Sequence, residues 1–220
     1  IQNFILLIAL YMKQRFVWYC ATGFPVGSTL SDSGKTLAVN TVQTVNGLLT
    51  NNIYLIDVRD GKEMYSMSSG SYPLKIQFIS DSRLLIAYQN RIVLWDVVNN
   101  TQLSAFEFGG STLQSVAVSG RYIAVAYGGL SRQQASQLTL LSKEFEEKFT
   151  VTVPEKIRDL SLSSSRLYTL GAENLYEYDY SAQLMNTVNT GALAKSLVDY
   201  KGTLLLTSTS VSKVEKTKSR

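Results

Sequence analysis

The chain has 220 residues, of which 45% are hydrophobic and 17% charged, with only three Pro and 14 Gly. That length and balance allow a sizeable buried core and exclude collagen-like, low-complexity and generally disordered chains. The net charge of +4, with a sequence pI of about 9.0, is spread thinly. It lacks the Lys/Arg clusters interleaved with aromatics that a nucleic-acid surface needs, so no nucleic-acid partner is expected.

The first element, Phe4 to Met12, is the most apolar stretch and is ended by Lys13, Gln14 and Arg15. It falls well short of the roughly 20 apolar residues of a membrane helix. Its positive charges follow the apolar run, the reverse of a signal peptide. The chain begins with Ile, so membrane contact is expected only through an N-terminal anchor missing from it. A second strand-like run, Arg15 to Cys20, holds the one cysteine, which rules out an intrachain disulfide. With no His in the chain to activate it, Cys20 is expected to be a buried thiol.

From here a phrase recurs: an apolar residue, a Ser or Asp with a small polar turn, an apolar strand, then a second apolar strand ending in a polar turn. The copies begin at Leu30-Ser31-Asp32, Ile79-Ser80-Asp81, Val118-Ser119-Gly120 and Leu162-Ser163-Ser164, with a partial fifth at Val198-Asp199-Tyr200. The anchors at 31, 80, 119, 163 and 199 bracket the period of roughly 40–45 residues found in four-stranded propeller blades. Asp60-Gly61 and Asn99-Asn100 stand between strand-like runs, as hairpin turns should. Lys143 to Lys148 reads as a charged hairpin turn. No stretch of ten or more residues keeps a helical period with caps.

One four-stranded sheet cannot bury both of its faces alone, so blades stack face to face and their inner strands become continuous apolar runs. Ile79, Leu84, Leu85, Ile86 and Trp95 fit that pattern. The expected fold is therefore all-β, a β-propeller with four to five blades. Four repeats lie between Phe24 and Ala194. The strand pairs at the two ends supply half a blade each, and either close together as a composite blade or mark a piece of a larger propeller. The domain expectation is a single propeller or partial propeller over residues 1–212, followed by a basic tail over 213–220 with Lys213, Lys216, Lys218 and Arg220.

The absence of His removes Ser-His-Asp and Cys-His catalysis and His-ligated metal sites. No phosphate-cradling Gly-rich loop precedes a helix, and no calcium-loop spacing occurs. No catalytic residue, cofactor or metal is assigned. Asp32, Asp57, Asp81 and Asp96 recur at blade turns, where a carboxylate bonds its own backbone. Tyr72, Tyr88, Trp95, Tyr127, Tyr168, Tyr176 and Tyr178 are expected in the packing within and between blades. The two segments richest in polar residues, Thr41 to Asn52 and Gly128 to Gln137, are the candidate binding rim, with Asn46, Asn51, Arg132, Gln133 and Gln134 as its residues. The alternative for both is an ordinary long hairpin.

Trp95-Asp96 at a strand end resembles the WD40 repeat, although the family's Gly-His pair is absent and its hydrogen-bonded tetrad cannot form. The run Tyr54-Leu55-Ile56-Asp57-Val58-Arg59-Asp60-Gly61-Lys62-Glu63-Met64-Tyr65 looks more like the quinoprotein-type repeat, with Tyr65 where the docking Trp of that repeat would stand. The phrase from Gly23 to Leu37 (GFPVGSTLSDSGKTL) and the ending Ser210-Val211-Ser212-Lys213-Val214 are similar to a group of clostridial-type propeller proteins, the domain-of-unknown-function family 5711. That resemblance covers most of the chain. It implies a WD40- or quinoprotein-like propeller held outside the cell by an N-terminal membrane anchor, and implies no activity or cofactor.

The functional expectation is a non-catalytic binding or scaffold module, the extracytoplasmic part of an anchored bacterial surface protein, with a protein or a cell-surface glycan as partner. The alternatives are a cytoplasmic WD40-type interaction platform and a carboxylate-based glycan-active enzyme, which needs two acidic residues in one cleft.

Overall fold

The computed structural model describes residues 4–8, 14–20, 23–131, 134–191, 194–200 and 203–208. The chain divides into two compact units, Ile1–Phe106 and Glu107–Arg220. Among the described residues there is no helix, and every sheet is antiparallel.

The first unit opens with a two-stranded sheet, β1 (Phe4–Ile8) and β2 (Gln14–Tyr19). A four-stranded meander follows: β3 (Phe24–Leu30), β4 (Thr36–Val45), β5 (Leu48–Asp57) and β6 (Glu63–Ser69). The next meander is β7 (Lys75–Ser80), β8 (Arg83–Ala87), β9 (Arg91–Asp96) and β10 (Thr101–Glu107). In the second unit β11 (Thr112–Val118), β12 (Tyr122–Gly128), β13 (Ser136–Ser142) and β14 (Glu147–Val153) form one sheet. The next is β15 (Asp159–Leu162), β16 (Leu167–Leu170), β17 (Asn174–Tyr178) and β18 (Leu184–Asn189). A pair, β19 (Ala194–Tyr200) and β20 (Thr203–Ser208), ends it.

The sheets stack because alternate side chains leave a strand on opposite faces and both faces are covered. On β4, Leu37 and Val39 pack with Trp18 and Cys20 on one side, while Ala38 joins Ile76, Phe78, Leu84 and Ile86 on the other. In the second unit Leu167 packs toward Ala124, Leu138 and Leu140, and Leu170 toward Ala194, Leu197 and Leu204. A doubly covered strand has no solvent side, so β8 reads as an unbroken apolar run with Leu84 to Ala87 all buried. Each such Leu or Ile stabilises the fold by about 1.5–3 kcal/mol relative to an exposed one.

Within each unit the first strands of consecutive sheets lie side by side: β3 with β7, and β11 with β15 and then β19. The last strands β10 and β18 are largely exposed, and so is the first strand β3. Consecutive four-stranded antiparallel meanders whose first strands lie side by side are propeller-like.

The recurring Ser residues are turn devices. Ser119 Oγ accepts from the backbone N–H of Tyr122 at 3.1 Å, and Ser163 Oγ from that of Arg166 at 2.9 Å. Ser31 Oγ does the same for Thr36 at 3.1 Å. Asp57 and Asp96 bond their own turns as expected, to Arg59 N–H and to Val98 and Asn99 N–H. Asp81 differs: it accepts the Ser33 N–H at 2.7 Å, reaching the turn of the preceding sheet. Tyr72 also differs, since it lies exposed in the β6–β7 connection rather than in a strand. Cys20 is a buried free thiol. The basic tail expected over 213–220 lies outside the described residues.

Candidate functional site

The structure places the rim residues differently from one another. The stretch from Thr41 to Asn52 is strand on both sides of a two-residue turn, so β4 and β5 make one long hairpin with Asn46 and Gly47 at its apex. Their φ angles of 51° and 78° are those of a type I′ turn, for which Asn-Gly is the favoured pair. Asn51 is 3% exposed on β5, and its Nδ2 donates to the Ser71 carbonyl at 2.8 Å. It pins the β6–β7 connection and does not face solvent. Gln134 is exposed in the β12–β13 loop. Arg132 and Gln133 lie outside the described residues.

The β12–β13 loop borders a recess of about 330 Å³ in the second unit, lined by Gln114, Lys156, Ile157, Arg158, Ala172 and Lys195. Gln114, on β11, is its organiser. Its Oε1 accepts from Ser136 Oγ at 2.7 Å and from the Ile157 N–H at 3.0 Å, while Nε2 donates to the Gly129 carbonyl at 3.2 Å. Lys156 Nζ donates to the Leu130 carbonyl at 3.3 Å, and Arg158 Nη1 to the Ala194 carbonyl at 2.6 Å. The recess is thus built where the β14–β15 connection, the β12–β13 loop and the start of β19 meet.

Its electrostatics follow from one carboxylate that points elsewhere. Glu155 precedes Lys156 but accepts from Glu173 N–H (2.7 Å), Asn174 N–H (3.2 Å), Asn174 Nδ2 (3.0 Å) and Tyr176 Oη (2.7 Å). Burial pushes its carboxyl up, but these donors outweigh burial and hold it below the usual carboxylate range. Burial and the Glu155 carboxylate together push the Tyr176 phenol well above its ordinary value. Among the described residues, neither Lys156 nor Lys195 has a carboxylate within ion-pair distance. Four cations elsewhere have carboxylate partners: Arg59 with Asp57 (2.6 Å), Lys62 with Asp60 (3.1 Å), Lys148 with Glu146 (3.1 Å) and Arg166 with Glu177 (3.0 Å). Three cationic side chains in one concavity, two of them without a counter-charge among the described residues, suit an anionic group.

A second recess in the same unit, of about 510 Å³, lies by the β11–β12 and β15–β16 turns and is lined by Ser119, Arg121, Tyr122, Ser163, Tyr180 and Asp199 among others. Tyr122 and Tyr180 meet at 4.7 Å between ring centroids, and Tyr180 Oη donates to the Ser163 carbonyl at 2.6 Å. Burial, then the Tyr122 neighbour, push the Tyr180 phenol up to about 12. Among the described residues, Asp199 is the one carboxylate in the lining of either recess.

Sequence reasoning passed over Gln114, Glu155, Lys156, Arg158 and Lys195. The available signal was positional: Arg158 and Lys195 stand at the starts of equivalent first strands in consecutive repeats, so superposing the repeats brings them together.

Fold and recess together define an all-β protein of consecutive four-stranded antiparallel sheets in a propeller-like order. The model of a family of unknown function, DUF5711, matches residues 16–215, and the chain belongs to that family. A comparison with curated proteins finds no match.

Proposed function

We propose that the chain is a β-propeller binding module, non-catalytic, that holds an acidic group of a protein or cell-surface glycan in the basic recess of its second unit. The observation that carries this is the convergence of Lys156, Arg158 and Lys195 beside the β12–β13 loop, with Glu155 drawn away by four donors. Loops and connections on a rigid sheet scaffold are where recognition groups gather. The four complete sheets are its blades, and the terminal pairs β1–β2 and β19–β20 are partial ones. A hydrolase acting through two carboxylates has less support, since Asp199 is the one carboxylate that the described residues bring to either recess. We place the module outside the cytoplasm as part of a membrane-anchored surface protein, on the strength of the family resemblance.

Titration of the full chain with a sulfated polysaccharide, against neutral dextran as control, tests the recess. Binding that weakens at least tenfold in the Lys156→Ala/Lys195→Ala variant, and falls with added salt, is the expected result. Equal affinity in parent and variant overturns it.

A further inference from the structure

The β4–β5 hairpin outgrows its sheet. β3 pairs with β4 only as far as Val42, and β6 pairs with β5 only from Asn51. Three residue pairs, Gln43–Thr50, Thr44–Leu49 and Val45–Leu48, therefore project without a flanking strand. At about 3.4 Å per residue the ribbon stands roughly 10 Å beyond the sheet. Its tip is apolar and exposed: Leu48 is 70%, Leu49 66% and Val45 44% accessible. No charged residue occurs between Lys35 and Asp57.

We propose that this hairpin is a lipid-contacting element that enters the interfacial region of a bilayer. Leu49 stands on one face of the ribbon and the Val45–Leu48 pair on the other, because directly paired residues share a face and successive pairs alternate. A partner on one face leaves the other apolar face in water, whereas lipid surrounds the tip. Three aliphatic side chains of on the order of 100 Å² each also fall far short of the roughly 800 Å² per partner of a stable protein interface. The polar residues near the tip are Thr, Asn and Gln, which tolerate the headgroup layer, and roughly 10 Å matches the depth reached by interfacial segments. The unpaired backbone groups on the ribbon edges stop it from going deeper. At the base, Phe24 on β3 pairs with Val42 and is 59% exposed, and Tyr72, next to the Ser71 that Asn51 holds, is 38% exposed. Aromatic side chains at that level occupy the headgroup boundary.

The hairpin shares no residue with the basic recess, and neutral phosphatidylcholine vesicles test it without the net anionic charge that the recess would attract. The full chain is expected to co-sediment with them, and Leu48→Asp/Leu49→Asp to reduce partitioning at least tenfold with unchanged circular dichroism. A Leu48→Trp variant should show blue-shifted emission, beyond that of Trp18 and Trp95, that is quenched by nitroxide-labelled acyl chains. Failure of the parent to bind, equal binding by the Asp variant, or an unquenched Trp each overturns the proposal. So does a Leu48-dependent dimer in sedimentation without vesicle binding, which would make a second copy the occupant.

Discussion

Tyr176 on β17 donates its phenolic hydrogen to Glu155 at 2.7 Å, so the connection leaving β14 is fastened to the third strand of the next sheet. The same carboxylate caps Glu173 and Asn174 N–H in the β16–β17 turn. Its loss leaves the part-buried Asn174 donors and the buried Tyr176 hydroxyl without this acceptor. Glu155→Ala is expected to destabilise the second unit by about 1–3 kcal/mol at neutral pH, read from denaturant midpoints.

The pH dependence has a defined sign. The Glu155 carboxyl is lowered on folding, so its contribution is complete above the unfolded value of about 4.3 and is lost as pH falls through the folded one. The Tyr176 phenol is raised, so its contribution is complete below about pH 10 and is lost as pH climbs above that. Denaturation followed from pH 5 to 3 should therefore show a shallower acid decline for Glu155→Gln than for the parent, and Tyr176→Phe should flatten the alkaline limb. Parallel curves would remove the carboxylate–phenol pair as the cause.

Gly171 gives Glu155 its place. A Cβ on Gly171 would fall 2.6 Å from Glu155 Oε1 and 2.7 Å from its Cγ. The carboxylate is held by its donors and has nowhere to swing. Gly171→Ala is expected to cost about 1–3 kcal/mol. In a double-mutant cycle with Glu155→Ala most of that cost should vanish; full additivity would show that the obstruction lies elsewhere.

Asp159 joins three sheets of the second unit. Its Oδ1 accepts the Leu160 N–H (2.9 Å) and faces Ser115 Oγ (3.4 Å), while Oδ2 accepts the Leu197 N–H (3.0 Å). An amide cannot replace it, because its nitrogen would face one of two backbone donors. Asp159→Asn and Asp159→Ala should both destabilise, by about 1–3 kcal/mol. Recovery of parental stability by Asn would reduce the role of Asp159 to one accepted bond.

At the hairpin tip, Gly47 has a φ of 78° and its Cβ site is open space. Gly47→Ala therefore carries backbone strain of about 1 kcal/mol without a clash. Because residues 43–50 lack flanking strands, amide exchange should quicken there several-fold while the thermal midpoint stays unchanged.

The repeat architecture was legible because face-to-face stacking removes the polar side of each central strand, and runs such as Leu84 to Ala87 survive in the sequence as uninterrupted apolar phrases. The Ser and Asp turns were legible because most bond locally. Asp81 escaped, since its partner Ser33 belongs to the preceding repeat. Asn51 looked like a loop residue because a buried amide in mid-strand has the same polarity as an exposed one; its acceptor on Ser71 is what separates them. The recess was hidden because Lys156 and Arg158 meet Lys195 only through the adjacency of β15 and β19.

Every four-stranded sheet is assembled from strands consecutive in the chain. During synthesis each can therefore complete its ladders soon after its last strand leaves the ribosome, without waiting for distant sequence. Its second face then stays bare until the following repeat emerges: Ile53 and Leu55 of β5 wait for Ile76, Phe78 and Leu84. The nascent chain thus offers chaperones one exposed face at a time, and a ribosomal pause within β7–β8 is where aggregation would begin.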